Sequence, residues 1–137
     1  QIEQDQYEYD YIVAIARGGC VPGVYLSHKL GKPAMMIQWN TRDRSSIGNH
    51  YPDWLPRALL ADSKILLVDD MVDGGQTIIE LLTAWQNQLG GKKIPLNNIR
   101  IAAMYYNIAQ DIKVDYYHRT INRHADDRWV IFPWEAV

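Results

Sequence analysis

Three carboxylates fall within five positions, Asp69, Asp70 and Asp73, and Gly74, Gly75, Gln76 and Thr77 follow at once. The glycines open what reads as a helix, where backbone N–H groups lack helical partners and the helix dipole favours an anion. A phosphate monoester suits that end. The acids lie upstream and need not meet the phosphate, because ionised carboxylates accept hydrogen bonds from hydroxyls and can share a Mg2+ with a pyrophosphate. A ribose 5-phosphate has this polarity, so the acids and the glycine loop read as complementary halves of one site. A plain strand-to-helix turn is the poorer account, since unpaired strand-end carboxylates repel one another. Arg17-Gly18-Gly19 is a second glycine turn, able to offer N–H groups and a guanidinium to another anionic group.

The elements that must carry these residues can be read around them. Lys64 to Asp69 is the clearest strand, its four consecutive aliphatics Ile65 to Val68 reading as buried on both faces, as in a parallel sheet. Ile78, Leu81, Leu82, Trp85 and Leu89 mark one apolar face of a helix over Thr77 to Leu89. Thr77 and Glu80 have capping-box spacing, and Gly90-Gly91 ends the helix. Upstream, a strand over 9–16, the Arg17-Gly18-Gly19 turn, a short helix stopped at Gly31 and a strand over 33–39 make one strand-helix-strand unit, with Pro22 tolerated in the first helical turn. Residues 40–62 read as a long polar loop, and a loop of that length in a compact domain is usually functional. Further strands are expected over 99–106, 114–117 and 129–132. Strands alternating with helices predict one α/β domain over 1–137 with a largely parallel sheet, its ligands beyond the C-terminal strand ends.

The 137 residues, 47% hydrophobic and 22% charged, are those of an ordinary globular chain long enough to bury a core. A net charge of −2 gives no general attraction to nucleic acid or anionic membrane, so small molecules are the expected partners. One cysteine, Cys20, rules out an internal disulfide framework, and no apolar run approaches the roughly 18 residues of a membrane helix. No signal peptide is visible, which favours the cytoplasm. The sequence starts at Gln1 and enters a strand almost at once, so an N-terminally trimmed chain is expected.

Val68-Asp69-Asp70-Met71-Val72-Asp73-Gly74-Gly75-Gln76-Thr77 resembles the signature of the type I phosphoribosyltransferases, an apolar strand, two acids, two spacers, a third acid and Thr-Gly-x-Thr. Residues 15–23 look like the pyrophosphate loop of the same family, especially its bacterial xanthine-guanine branch, and the tail Trp129 to Glu135 is similar to the purine-pocket end of that branch. The resemblance implies a Rossmann-like fold with a mostly parallel sheet, flanking helices and a small C-terminal hood, without the family's N-terminal helix. It implies that a nucleobase, expected to be a purine, attacks C1 of 5-phosphoribosyl-1-pyrophosphate (PRPP) and yields a nucleoside monophosphate and pyrophosphate. Asp69 and Asp70 would then hold the ribose hydroxyls and Mg2+, and Asp73 would be the general base or acid. Gly74, Gly75, Gln76 and Thr77 would hold the 5-phosphate, with Arg17, Gly18 and Gly19 facing the pyrophosphate. Trp129 and Val130 would line the base, a core position being the rival account of Trp129, and Asn107 would hydrogen-bond the exocyclic group of the base. Arg42 and Arg44 fall in the place of the family's mobile catalytic loop, and a homodimer or homotetramer is expected.

Two positions depart from the pattern. Gly74 stands where the family usually has Thr or Ser, losing one hydroxyl donor to the phosphate, and Asn107 stands where purine-specific members carry a Lys aimed at the exocyclic oxygen of the base. These departures give weight to an alternative, a PRPP- or nucleotide-sensing regulator on the same fold. A phospho-acceptor receiver domain is a weaker rival, because its acidic pair belongs on the first strand. The remaining candidates read blandly: His28 and Lys29 on a solvated helix face, His118 and His124 without metal-ligand spacing, Cys20 packed near its turn, and residues 123–128 as a solvated turn in preference to a border of the base pocket.

Overall fold

The computed structural model describes residues 2–41 and 48–135. Five strands, β1 (Tyr11–Ala16), β2 (Ala34–Gln38), β3 (Ile65–Val72), β4 (Ile99–Asn107) and β5 (Tyr116–Ile121), form one sheet in the order β2-β1-β3-β4-β5. Every neighbouring pair of these strands is parallel, the arrangement expected from the alternating elements. The helices are α1 (Cys20–Leu30), α2 (Trp54–Leu60) and α3 (Gln76–Gln88).

The β3 aliphatics are buried on both faces, as their pattern requires. Ile65 and Leu67 join Val13 and Ile15 of β1 in a core with Leu55 and Leu59 of α2 and Ile78, Leu81 and Trp85 of α3. Leu66 and Val68 face the other way with Ile12, Ala102 and Tyr116, against Leu26 and Leu30 of α1. Close approach of α1 depends on small residues, since a Cβ at Gly23 would lie 2.6 Å from Ala14 Cβ.

Several boundaries differ from expectation. Part of the predicted 40–62 loop is helix α2, which the isolated Pro56 and a length of 7 residues had obscured. Leu55 and Leu59, four apart, supply the apolar face that holds it to α3 and the sheet. Arg42 and Arg44, assigned to a catalytic lid, lie outside the described residues. The fifth strand begins at Tyr116 rather than Val114 and runs to Ile121. Residues 129–132 form no strand; Phe132 buries itself edge-on against Tyr105 and stacks on Trp134 at 4.9 Å, so side-chain packing replaces a ladder.

This strand order reverses direction at β1 and β3, which lead to opposite halves of the sheet, and such a switch point opens a crevice at the C-terminal strand ends. β1 pairs with β3 only as far as Val68, whereas β3 continues against β4 to Val72. The acids therefore lie beyond the last paired position of β1 and β3.

Candidate active site

Asp69 and Asp70 belong to β3 itself rather than to the turn after it. The Asp70 backbone N–H donates to Asp69 Oδ1 at 2.9 Å, which turns the first carboxylate back over the second residue. Burial pushes the Asp70 carboxyl up from its ordinary value of 3.8, while a hydrogen bond with the Asp69 side chain and a backbone bond at Met71 pull it down, and nearby Glu135 pushes it up again. Two adjacent acids, one partly desolvated, make a position that gains from a cation or from hydroxyl donors.

The turn after β1 closes directly on this pair. A Cβ at Gly18 would lie 2.3 Å from Asp70 Oδ2, and one at Gly19 would lie 2.3 Å from the Val68 carbonyl oxygen. Gly19 demands glycine because backbone faces it, and Gly18 admits a Cβ only if the Asp70 carboxylate moves aside. Arg17 is exposed at the mouth of this contact, and Cys20, whose thiol burial pushes up, starts α1 behind it.

The anion loop is organised by Gly75, in the left-handed region with φ 73°, which serves as N-cap of α3. The first bond closing the helix runs from Ile79 N–H to the Gly75 carbonyl at 3.0 Å, so the amides of Gln76, Thr77 and Ile78 precede the helical ladder. The capping box predicted from Thr77 and Glu80 is not made: no side chain caps α3, and Glu80 accepts from Gln76 Nε2 at 2.9 Å. Gly74 is exposed, and a Cβ there would meet nothing within 4 Å.

Asp73 is tied from two sides. Asn107 Nδ2 donates to its Oδ1 at 3.0 Å, and Arg123 Nε donates to its Oδ2 at 3.1 Å. Asn107, at the end of β4, is fully buried, and its Oδ1 accepts from the N–H groups of Ala109 at 3.1 Å and Arg123 at 3.3 Å. The direct contact with a base expected of Asn107 is therefore not offered by this geometry. Its amide is enclosed and committed to holding Asp73 and two turns.

Arg123 joins the site, although the sequence reading preferred a solvated turn for it over a border of the base pocket. It lies two residues past the true end of β5, on the same sheet edge as Asn107, and the misplaced strand hid this. Besides Asp73 its guanidinium reaches the Arg128 carbonyl and Met71 Sδ, and it lies 6.0 Å from the centre of the Trp129 ring. Trp129 is 62% exposed, which disposes of a core role, and Val130 is half-buried beside it.

Among the described residues no three His, Cys, Asp or Glu side chains converge to hold a metal. Asp69 and Asp70 offer the one or two carboxylates that a Mg2+ carried on a substrate's phosphates can use. A groove of about 720 Å3 runs between α1 and the exposed face of β4 and β5, and it reaches the motif at Val68 and Asp69.

An acid pair and a glycine-opened helix start at the switch point of a parallel sheet define an α/β protein of the kind whose ligands sit beyond the C-terminal strand ends. The phosphoribosyl transferase domain profile matches residues 1–136, and the chain belongs to that family. It is 27% identical over 134 residues to a xanthine-guanine phosphoribosyltransferase of Cereibacter sphaeroides, covering 92% of this chain and 69% of that one. The purine phosphoribosyltransferase of Pyrococcus horikoshii superposes with a TM-score of 0.67 at 29% identity, over 99% of this chain and 83% of that one. The xanthine-guanine-hypoxanthine phosphoribosyltransferase of Helicobacter pylori shares the fold, with a TM-score of 0.64 at 21% identity over 99% and 80%.

Proposed function

We propose that this chain transfers the 5-phosphoribosyl group of PRPP to a purine base and releases pyrophosphate. The observation that carries this reading is the packing of the Gly18-Gly19 turn onto the acid pair, with a free helix start five to seven residues further on. One ligand with a phosphate, vicinal hydroxyls and a pyrophosphate would fill all three.

The amides of Gly75, Gln76 and Thr77 hold the 5-phosphate, aided by the α3 dipole. Asp69 and Asp70 accept from the ribose hydroxyls and stabilise positive charge developing at C1. Arg17, Gly18 and Gly19 direct a guanidinium and backbone N–H groups at the departing pyrophosphate. Asp73 takes or returns a proton at the purine nitrogen, its carboxylate oriented by Asn107 and Arg123. Trp129 and Val130 cover the base. Asp69 and Asp70 would hold Mg2+ together with PRPP, and the ion would supply positive charge to the pyrophosphate.

The unit proposed to act is the single domain of residues 1–137, assembled as a homodimer or homotetramer and working in the cytoplasm. The exposed apolar side chains of α1, Val21, Val24 and Tyr25, support assembly through that face. No described helix is long and apolar enough to cross a membrane.

Incubation with PRPP, Mg2+ and a panel of purines tests the reading. Pyrophosphate release that requires a base is expected; release with none of them would overturn it.

A further inference from the structure

A purine lying between Asp73 and Trp129 has to present its exocyclic group to something, and Asn107 is sealed beneath Asp73. The charge that reaches this place comes from another element. Arg123, just beyond β5, places its guanidinium between the Asp73 carboxylate and the Trp129 ring, with its side chain 17% exposed.

We propose that Arg123 is the base-selecting residue of this chain, positioning Asp73 through Nε and donating through Nη2 to the exocyclic oxygen of an oxopurine. The proposal rests on the purine-transfer reading above. Nη2 is the free arm of the fork: Nε is engaged by Asp73, Nη1 by the Arg128 carbonyl, and Nη2 faces only Met71 Sδ at 3.9 Å, a weak acceptor. A carbonyl oxygen on the base improves that contact. An amino group there sets donor against donor, and the cost of leaving a desolvated donor unpaired is what discriminates. Asn107 contributes from below by fixing both the Asp73 carboxylate and the Arg123 backbone N–H. The cation absent from the end of β4 is thereby supplied by the segment after β5, aimed at the same carboxylate.

The test compares hypoxanthine and guanine with adenine as acceptors, and IMP with AMP as ligands, in the wild type, Arg123→Met and Arg123→Lys. The wild type should favour oxopurines by about 100-fold or more in kcat/KM and bind IMP over AMP. Arg123→Met, which keeps the apolar stem but no longer positions Asp73, should lower turnover on every base and lower it much further on oxopurines, erasing most of that ratio. Arg123→Lys should recover part of it. Losses of equal size on both base classes and both nucleotides, or no change in either ratio, would overturn the proposal. If the wild type turns over no base, the transfer reading fails separately, and loss or survival of the IMP preference in Arg123→Met still decides the role of Arg123.

Discussion

Asp73 and the Asp69–Asp70 pair sit three residues apart but do different work, and substitutions should separate them. Asp73→Asn is expected to lower kcat by about 10^2 to 10^4 while leaving PRPP affinity nearly intact, because the amide keeps the shape and loses the proton-transfer role. Asp69→Ala should reduce both turnover and PRPP binding. Steady-state kinetics beside a PRPP titration distinguishes the two, and small equal effects would contradict the assignment. Asp70 carries a stability signature as well. Its carboxyl is pushed up from 3.8, chiefly by burial, so the stability it contributes is fully present below that value and is lost as pH rises through the raised one. Asp70→Asn should therefore melt higher than the wild type at pH 7, on the order of a few degrees, and lose that advantage in acid. Adding PRPP with Mg2+ should reverse the order, since only the wild type binds well. At Gly74 the open space admits a side chain, so Gly74→Ser should restore a hydroxyl donor and tighten PRPP binding, read as a lower KM without loss of fold.

The two glycines of the β1–α1 turn make the clearest contrast between elements. An added Cβ at Gly19 meets the backbone carbonyl of Val68, which cannot yield, whereas at Gly18 it meets the Asp70 side chain, which can. Gly19→Ala should cost about 1–3 kcal/mol or more in chemical denaturation. Gly18→Ala should fold and lose PRPP affinity. Thr77→Ala should cost less than the roughly 1 kcal/mol of a typical cap, because α3 has no side-chain cap to lose. Periodicity made β3 and the buried face of α3 legible, because nearest neighbours in sequence carry that information. The capping box failed because left-handed Gly75 already holds the N-cap position and Glu80 turns to Gln76. Helix α2 depends on just two well-buried leucines and carries an internal proline, too little for a pattern. The Arg123–Asp73 contact spans 50 positions, and the role of Arg123 emerges only once β4 and β5 lie side by side.

At the scale of the whole molecule, β3 lies between β1 and β4, with helices covering both faces, whereas β5 is an edge strand whose residues 117 to 120 are exposed. The acids proposed to hold the sugar are thus built into the centre of the sheet, while the proposed base end hangs from its margin and from a tail anchored by Phe132. Opening a central strand costs about the full unfolding free energy, but margins and tails fray for much less. On warming, this chain should forget which base it prefers before it forgets PRPP. Oxopurine selectivity should decline ahead of the melting transition, with PRPP binding surviving until the sheet itself gives way, and hydrogen exchange should rank the amides of β5 as faster than those of β3.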